Sequence, residues 1–399
     1  MKTAIILRPT AASFQRIAGL PLMQRTVLAA RRCGLDRIIV VGAEPAEPLH
    51  RVLQHDARTC DVEILATLPA LEGSGVVLIA SDCLLTTATL ARVTAVSLED
   101  GPVLFTSAGE SLIALCHPAV LAGSDPRVLT DGSAAEVWAA LQRQGAHRLP
   151  LDGDVCVRIT DAPSIVRAEK ALCRRLRTET AASDGPLAHR IDRHVSLAIS
   201  RWLVRHTRLR PNHLTGLGTC VGLLAAAVLS RGTYWAGVAG TLLLLCTVII
   251  DGCDGEVARL TFQESAFGQK FDVMTDNVVH VAIFASLAIG VWRQHPTGRY
   301  LGLLAILLGG FACTLVVTYI FLVRRPGFAR GSGTPVSFKG RLRQWLLRGF
   351  EALMNRDFAY LLVLLALVKR LHWFIWGSAF GTYLFAILLV WIYGWRDAA

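Results

Sequence analysis

The sequence is poor in charge. Only 18% of its 399 residues are charged, while 53% are hydrophobic. Because ordinary soluble domains have about a quarter charged residues, this composition excludes a wholly soluble two-domain protein. The hydrophobic residues are concentrated after Pro211, where long apolar segments alternate with short polar ones. The chain is therefore predicted to have a soluble part followed by a membrane part.

Paired cysteines and a secretion signal are also missing. The chain has ten cysteines, but none forms a C-x-x-C pair and several lie in apolar runs. This spacing indicates neither a disulfide framework nor a zinc site, and it fits a reducing compartment for the soluble part. The apolar run within residues 1–15 is too short for a signal peptide and predicts a first β-strand instead.

A nucleic-acid-binding pattern is absent despite a net charge of +11. No basic stripe interleaved with aromatic residues occurs, so we expect no nucleic-acid partner. Basic residues instead cluster beside the apolar segments, densely at 201–210 and 324–356 and sparsely elsewhere. By the positive-inside rule, the dense clusters place the soluble part and the C-terminus in the cytoplasm, with the remainder in the cell membrane.

Residues 1–175 alternate short β-branched runs with helical stretches. The strand-like runs begin near residues 2, 36, 61, 75 and 103, and the helix-like stretches cover 21–34, 46–57 and 87–96. This alternation predicts an α/β domain with a mostly parallel sheet and helices on both faces. Residues 176–186 are small and polar, which predicts a linker.

This half resembles the sugar-phosphate nucleotidyltransferases, a Rossmann-like family. The resemblance rests on G-L-P-L-M-Q-R-T (19–26), D-R-I-I-V-V-G (36–42) and I-T-D-A-P-S-I-V-R-A-E-K-A-L (159–172). It implies a metal-binding aspartate at Asp82. However, the loop at 8–16 has no glycine to cradle a triphosphate, and Arg158 stands where that family has its second metal aspartate. We expect a domain that has lost catalysis; the alternatives are that it still makes a CDP-linked donor, and that Asp82 only caps the next helix.

Residues 187–399 read as a helical membrane domain. An amphipathic helix at 187–209, with apolar Val195, Ile199 and Trp202 on one face and arginines on another, is predicted to lie in the membrane interface. An ordinary surface helix of the soluble domain is the alternative. Six membrane-spanning helices are predicted by length and hydropathy. They cover 212–230, 234–259, 268–292, 299–323, 357–370 and 372–395.

Four aspartates stand where the second and third predicted spans meet. Asp251 and Asp254 are three residues apart, and Asp272 and Asp276 are four apart, so each helix points two carboxylates in one direction. A short turn between the helices lets the two pairs face each other. Since four carboxylates at membrane depth repel one another, a cation is expected among them. All-carboxylate ligation favours Mg²⁺, Mn²⁺ or Ca²⁺, and four carboxylates can hold two such ions.

Other interpretations of these acids stay open. They are compatible with structural ion pairs, with a divalent-cation transporter and with a membrane prenyltransferase. A transport site is expected near the middle of the bilayer, whereas these acids lie near one interface. Prenyltransferases separate their two aspartate motifs by several helices, whereas here the motifs occupy consecutive helices.

The spacing resembles the signature of the CDP-alcohol phosphotransferases. It reads Asp251-x-x-Asp254-Gly255-x-x-Ala258-Arg259, then eight residues, then Gly268-x-x-x-Asp272-x-x-x-Asp276, and the first span begins P-N-x-L-T. The resemblance covers residues 187–399. It implies a homodimeric enzyme that uses two Mg²⁺ or Mn²⁺ ions to move a phosphate-linked alcohol from a CDP-linked donor to an acceptor hydroxyl, releasing CMP.

The same resemblance implies a role for each matching residue. The metal would be held by Asp251, Asp254 and Asp272, and shared by Asp276, which is also the implied general base. The CDP site would be lined by Gly255, Ala258, Arg259 and Gly268. Asn212 and Thr215 either border that site or simply begin their helix.

The substrates are less well indicated. A phosphorylated acceptor needs a basic pocket, for which the candidates are Arg324, Arg325, Arg330, Lys339 and Arg356. The two-part architecture resembles bifunctional enzymes that make CDP-inositol and couple it to inositol phosphate. A lipid donor, CDP-diacylglycerol or CDP-archaeol, is equally compatible, so the sequence indicates either phospholipid or inositol-phosphodiester biosynthesis.

Overall fold

In the computed structural model, the chain divides into two compact units, Met1–Leu176 and Arg177–Ala399. Each unit has its own hydrophobic core. The structure describes residues 2–42, 47–69, 71, 73, 75–99, 101–123, 125–153, 155–180, 191–207, 209–296, 298–318 and 358–394.

A seven-stranded sheet forms the centre of the N-terminal unit. Its strands, in the spatial order β10-β8-β9-β6-β1-β4-β5, are His147–Pro150, Val103–Ser107, Glu110–Cys116, Gly75–Ile79, Lys2–Ile6, Arg37–Val41 and Glu63–Leu65. Two small antiparallel pairs accompany it: β2 (Arg16–Ile17) with β3 (Leu20–Pro21), and β7 (Cys83–Leu85) with β11 (Cys156–Arg158). The predicted α/β class is confirmed.

The sheet is mixed rather than uniformly parallel. β1 pairs in parallel with both β4 and β6, as the strand–helix alternation predicts. β9 runs antiparallel to both β6 and β8. This strand was missed because no helix separates it from β8. Ala108 and Gly109 both have positive φ, of 51° and 85°, so the chain reverses in a two-residue hairpin.

The helices of this unit are α1 to α7. They cover Leu22–Arg32, Glu47–Gln54, Thr87–Ala95, Pro118–Ala122, Pro126–Thr130, Ala134–Arg143 and Ala162–Thr180. Helix α7 continues over the first five residues of the predicted linker 176–186, and the rest of that segment lies outside the described residues. Residues 176–180 favour a helix because they include Leu, Arg and Glu, whereas the small polar residues start only at 181.

Helices make up the described part of the second unit. They are α8 (Arg193–His206), α9 (Pro211–Leu229), α10 (Tyr234–Thr261), α11 (Ala266–Gln294), α12 (Gly298–Thr318), α13 (Phe358–Leu367) and α14 (Leu371–Gly394). Among the described residues, α9, α10 and α11 are long and apolar enough to cross a membrane. They match the predicted spans 212–230, 234–259 and 268–292.

Helix α8 has two different faces. Ser196 and Ser200 are fully buried and contact α10. The predicted apolar stripe is solvent-accessible: Trp202 is 57% exposed, and Val195 and Ile199 are also exposed. The buried side of the helix carries Ser196 and Ser200 together with Leu197 and Val204, whereas the stripe of Val195, Ile199 and Trp202 is left uncovered within the described residues.

Helices α9 and α11 approach closely at Gly222. A Cβ atom at this position would lie 2.6 Å from Cγ1 of Val279 on α11. Val279 is buried in the core cluster of the unit, together with Ile283 and Leu287. Because a β-branched side chain in a helix has little rotamer freedom, Val279 cannot move aside without loss of packing.

We expect Gly222→Ala to destabilise the second unit by about 1–3 kcal/mol, the usual cost of overpacking. Gly216→Ala on the same helix is the matched control, since a Cβ there meets no atom within 4 Å. That change should be neutral or slightly stabilising, because Ala is the better helix former. Thermal unfolding of both variants in detergent measures the difference; equal melting temperatures would contradict the close approach.

Candidate active site

The turn between α10 and α11 aligns the two aspartate-bearing helices. Phe262 ends α10 in the left-handed region at φ 56°. The side chain of Ser265 then caps α11 and accepts a hydrogen bond from the Gly268 N–H at 3.0 Å. This short connection brings the carboxylate of Asp254, near the end of α10, close to that of Asp272 in the first turns of α11, as the sequence predicts.

Three of the four aspartates converge. Asp251 and Asp254 on α10 and Asp272 on α11 each offer a carboxylate oxygen, and these oxygens all lie within 4.8 Å of one another. Asp254 is only 6% exposed, and the other two are half-buried. The hydroxyl of Thr215 on α9 donates a hydrogen bond to Oδ2 of Asp254 and so fixes its orientation.

Asp276 lies one turn further along α11 and is not one of these three. Its side chain is half-buried. Its backbone carbonyl pairs with Nδ1 of His280 at 2.7 Å. The imidazole of His280 packs between the rings of Phe284 and Phe358, with centroids 6.4 and 5.4 Å away. His280 is therefore a packed helix residue, and Asp276 flanks the three-carboxylate cluster.

The three carboxylates suit a hard divalent cation. Oxygen ligands at about 2.0–2.6 Å from one ion must lie within about 5 Å of one another, and the spacing in this cluster meets that limit. Ionised carboxylates this close together repel one another unless something positive lies among them. The donor set therefore fits Mg²⁺ or Mn²⁺.

A pocket of about 240 Å³ adjoins the cluster. All six residues that the sequence assigns to CDP line it, and so do Asp254 and Asp272. The other lining residues, which sequence reasoning missed, are Pro211, Gln263, Glu264, Ser265 and Gln269. Three of them, Gln263, Glu264 and Ser265, belong to the eight-residue interval between the two halves of the motif, so the short turn between the helices could have indicated them.

Arg259 and two glycines shape this pocket. Nε of Arg259 is buried and has no hydrogen-bond partner among the described residues. A Cβ on Gly255 would lie 3.3 Å from Nη2 of Arg259, and one on Gly268 would lie 3.2 Å from Oδ1 of Asn212. Because neither glycine has a side chain, the Arg259 guanidinium and the Asn212 amide can both border the same cavity. An arginine in such a cavity suits a phosphate.

Residues 208–384 match the sequence profile of the CDP-alcohol phosphatidyltransferase family. They include the three converging aspartates, Asp276 and nearly the whole pocket lining. The second unit carries a CDP-alcohol phosphatidyltransferase domain.

Known proteins are similar to parts of the chain. A bifunctional IPC transferase and DIPP synthase of Aquifex aeolicus is 35% identical over 106 residues, which are 27% of this chain and 23% of that relative. A putative glucose-1-phosphate thymidylyltransferase of Bacillus anthracis is 11% identical, with a TM-score of 0.32, over 43% of this chain and 94% of that one. A phosphatidylinositol phosphate synthase of Mycobacterium tuberculosis with CDP-DAG bound is 22% identical, with a TM-score of 0.30, over 49% and 88%.

Some predicted residues cannot be placed. The five acceptor-phosphate candidates of the phosphatidyltransferase domain, Arg324, Arg325, Arg330, Lys339 and Arg356, lie outside the described residues. The pocket described above therefore corresponds to the predicted nucleotide-binding part of the site.

In the N-terminal unit, Asp82 is held by an arginine. Nε of Arg158 lies 2.8 Å from Oδ2 of Asp82, and Nη1 lies 3.5 Å from Glu110. The hydrogen bond to the Asp82 carboxylate raises the pKa of Arg158, so the guanidinium keeps its positive charge. The alternative that Asp82 caps the next helix is wrong: β7 follows it, and Thr86 caps α3 by accepting from the Thr89 N–H.

The loop after β1 forms hydrogen bonds within itself. Residues 11–14 form a single 3-10 turn, in which the Thr10 N–H donates to Oγ of Ser13 and the Ser13 N–H donates to the carbonyl of Thr10. The Ser13 hydroxyl donates in turn to the carbonyl of Ser81. These backbone N–H groups are therefore already bonded, whereas a phosphate-cradling loop needs such groups to be available.

A buried ion pair joins α8 to the phosphatidyltransferase motif. Glu256, 1% exposed, accepts from Nη1 of Arg193 at 3.1 Å and from the hydroxyls of Ser196 and Ser200 at 2.6 and 2.8 Å. Ser200 also donates to the carbonyl of Cys253, the residue before Asp254. Helix α8 is thereby attached to the part of α10 that carries Asp251 and Asp254.

Breaking this pair should be costly, since it leaves an uncompensated charge in the interior. We expect Arg193→Gln to destabilise the second unit by about 3–5 kcal/mol. Arg205→Gln on the exposed side of the same helix is the control, and should change stability by less than about 0.5 kcal/mol. Chemical denaturation in detergent compares the two, and equal effects would show that the pair does not stabilise the unit.

Proposed function

We propose that this protein is a membrane CDP-alcohol phosphotransferase. The observation that carries the proposal is the convergence of Asp251, Asp254 and Asp272 beside a pocket bordered by Arg259, within a matching family domain. Three carboxylates and an arginine around one cavity suit a metal-bound pyrophosphate better than a transported cation, which needs no adjoining arginine.

Each group has an assigned part in the reaction. Asp251, Asp254 and Asp272 would hold Mg²⁺ or Mn²⁺, with Asp276 sharing a second ion; the ions supply charge stabilisation of the pyrophosphate. Arg259 and the bare backbone at Gly255 and Gly268 position the nucleotide. Ala258, Asn212 and Thr215 complete the lining, and Thr215 also orients Asp254.

The chemical step makes one bond and breaks one. The acceptor hydroxyl oxygen attacks the phosphorus that links the donor alcohol to CMP. The bond from that phosphorus to the bridging oxygen breaks, and CMP leaves with the electron pair. Asp276, one turn from Asp272 and outside the tight cluster, takes the proton of the hydroxyl as general base.

The donor and acceptor belong to the lipid or inositol type. Relatives named as IPC transferase and DIPP synthase, together with the fused N-terminal unit, support the inositol type. A lipid donor such as CDP-diacylglycerol fits the same nucleotide pocket, because the motif contacts only the CDP part. The acceptor's phosphate, where it has one, is assigned to the basic segment 324–356.

The proposed setting is a multi-pass cell-membrane protein. Helices α12, α13 and α14 overlap the predicted spans 299–323, 357–370 and 372–395, which supports a six-span domain with both termini cytoplasmic. The exposed apolar stripe of α8 supports its placement in the interface. We also propose a homodimer, on the resemblance alone.

The N-terminal unit is proposed to be catalytically inactive. The Arg158 guanidinium already neutralises Asp82, so the carboxylate has no need of a metal ion. In the loop after β1, the backbone N–H groups of Thr10 and Ser13 are already bonded within the loop. Both features oppose metal-dependent nucleotidyl transfer.

The enzyme proposal predicts metal-dependent and acceptor-dependent CMP release by the purified protein. CDP-diacylglycerol and CDP-inositol would each be offered with a panel of alcohols and Mg²⁺ or Mn²⁺. Asp276→Asn should lower the rate by about 10²–10⁴-fold, the usual contribution of a general base.

Asp272→Asn should weaken Mn²⁺ binding, measured by electron paramagnetic resonance. Asp36→Asn, at an exposed position in the N-terminal unit, is the matched control.

The outcomes separate the competing functions. Binding of CDP without turnover would indicate an untested alcohol. Mn²⁺ binding without any CDP binding would contradict the proposal and favour a divalent-cation transporter. Prenyl transfer from an isoprenoid diphosphate would favour the prenyltransferase.

For the N-terminal unit, we expect no pyrophosphate release from CTP with inositol phosphate in the presence of Mg²⁺. The full chain would be assayed beside Arg158→Ala, which frees Asp82. Pyrophosphate formed by the unmodified chain, and lost on Asp82→Asn, would show that the unit is active.

A further inference from the structure

A second cavity lies at the other end of the helix bundle from the aspartates. It has a volume of about 430 Å³ and is formed where α9 joins α10, where α11 ends and where α13 joins α14. Along α10, Asp254 lies 20 residues after Tyr234, a rise of about 30 Å, the thickness of a bilayer's hydrocarbon core. The aspartate cluster and this cavity therefore lie at opposite membrane surfaces.

The cavity is strongly basic. Its lining includes Arg231, Arg293, His295, Lys369 and His372, and no acidic residue among the described residues that form it. The connecting segments 230–233, 295–298 and 368–370 contain no Asp or Glu in sequence either. Unlike the first pocket, this cavity has basic side chains and no acidic side chain among the described residues that line it.

The basic groups are held by a rigid framework. Gly232, at φ 76°, packs so closely on α11 that a Cβ would lie 2.3 Å from the carbonyl oxygen of Gly290. Nη1 of Arg293 donates to the carbonyl of Ser230 at 2.9 Å. Nζ of Lys369 lies 4.9 Å from the ring centroid of Tyr234. These contacts join the three segments that form the cavity. The shape of the cavity is therefore fixed by backbone packing as well as by side chains.

The walls below the basic rim are apolar. They are formed by Leu229, Leu287, Val291 and Leu371. Trp235, 76% exposed, and Trp373, 58% exposed, flank the same level of the bundle, where tryptophan favours the membrane–water interface. A basic rim above an apolar wall matches a molecule with a negatively charged head and a hydrocarbon body.

We propose that this cavity binds the phosphate group of an anionic phospholipid in the leaflet opposite the active site. Arg231, Arg293 and Lys369 contact the phosphate, and the apolar walls receive the first carbons of its chains. Phosphate is the chemistry recognised; inorganic phosphate is the other possible source, and the experiment distinguishes the two. The site is independent of the proposed reaction.

The test titrates the full-length protein in detergent with dioleoyl phosphatidylglycerol or dioleoyl phosphatidylcholine and counts bound lipid by native mass spectrometry. Arg231→Gln and Lys369→Gln should each weaken phosphatidylglycerol binding about fivefold, and together about 25-fold, from the usual effect of one basic residue at a membrane surface. Arg299→Gln is the matched control: this exposed arginine begins α12 near the same surface but does not line the cavity. Its effect should be less than about twofold. Thermal unfolding confirms that each variant is folded.

Inorganic phosphate is then added as a competitor. Failure to displace phosphatidylglycerol supports a lipid site, whereas displacement that depends on Arg231 and Lys369 supports the same site with free phosphate as its ligand. Equal binding of both lipids, or equal losses in the double variant and in Arg299→Gln, would overturn the proposal.

Discussion

The mutual repulsion of three neighbouring carboxylates is the constraint that the packing of the second unit must overcome. Asp251, Asp254 and Asp272 lie within a few ångströms of one another on α10 and α11, two helices that both pack against α9. Such an arrangement persists only if surrounding contacts hold the helices in place. The short capped turn at 262–265, the Thr215 hydroxyl and the close approach at Gly222 supply those contacts.

The buried Glu256–Arg193 pair belongs to the same framework. Glu256 lies two residues from Asp254, on the side of α10 that faces α8, so one helix presents carboxylates in two directions. One set is available to a cation, and the other is neutralised by an arginine and two serine hydroxyls. The pair fastens a helix with an uncovered apolar stripe to the turn that carries the metal-site residues. Movement of α8 relative to the bundle would therefore disturb the site.

Each unit has an aspartate of a kind that could bind a metal ion, but the groups around the two aspartates differ. In the second unit, Asp254 lies beside the carboxylates of Asp251 and Asp272 and accepts a hydrogen bond from the hydroxyl of Thr215. In the first, Asp82 meets Arg158, whose guanidinium supplies the positive charge permanently. The basic cavity at the other end of the bundle shows the reverse arrangement. There, basic side chains lie together and suit an anionic ligand.

The sequence by itself determined the two-part organisation, the helices that carry the motif and the identity of the aspartates, because hydropathy, periodicity and residue spacing are local properties. It also indicated the pocket residues Asn212 and Thr215, though not whether they border the site or only begin a helix. Tertiary structure decided that both line the pocket, that Asp251, Asp254 and Asp272 come within 4.8 Å of one another, and that Glu256 is paired with Arg193. It also decided that β9 is antiparallel and that Arg158 reaches Asp82. These features depend on which distant segments meet in space, and no spacing along the chain encodes that.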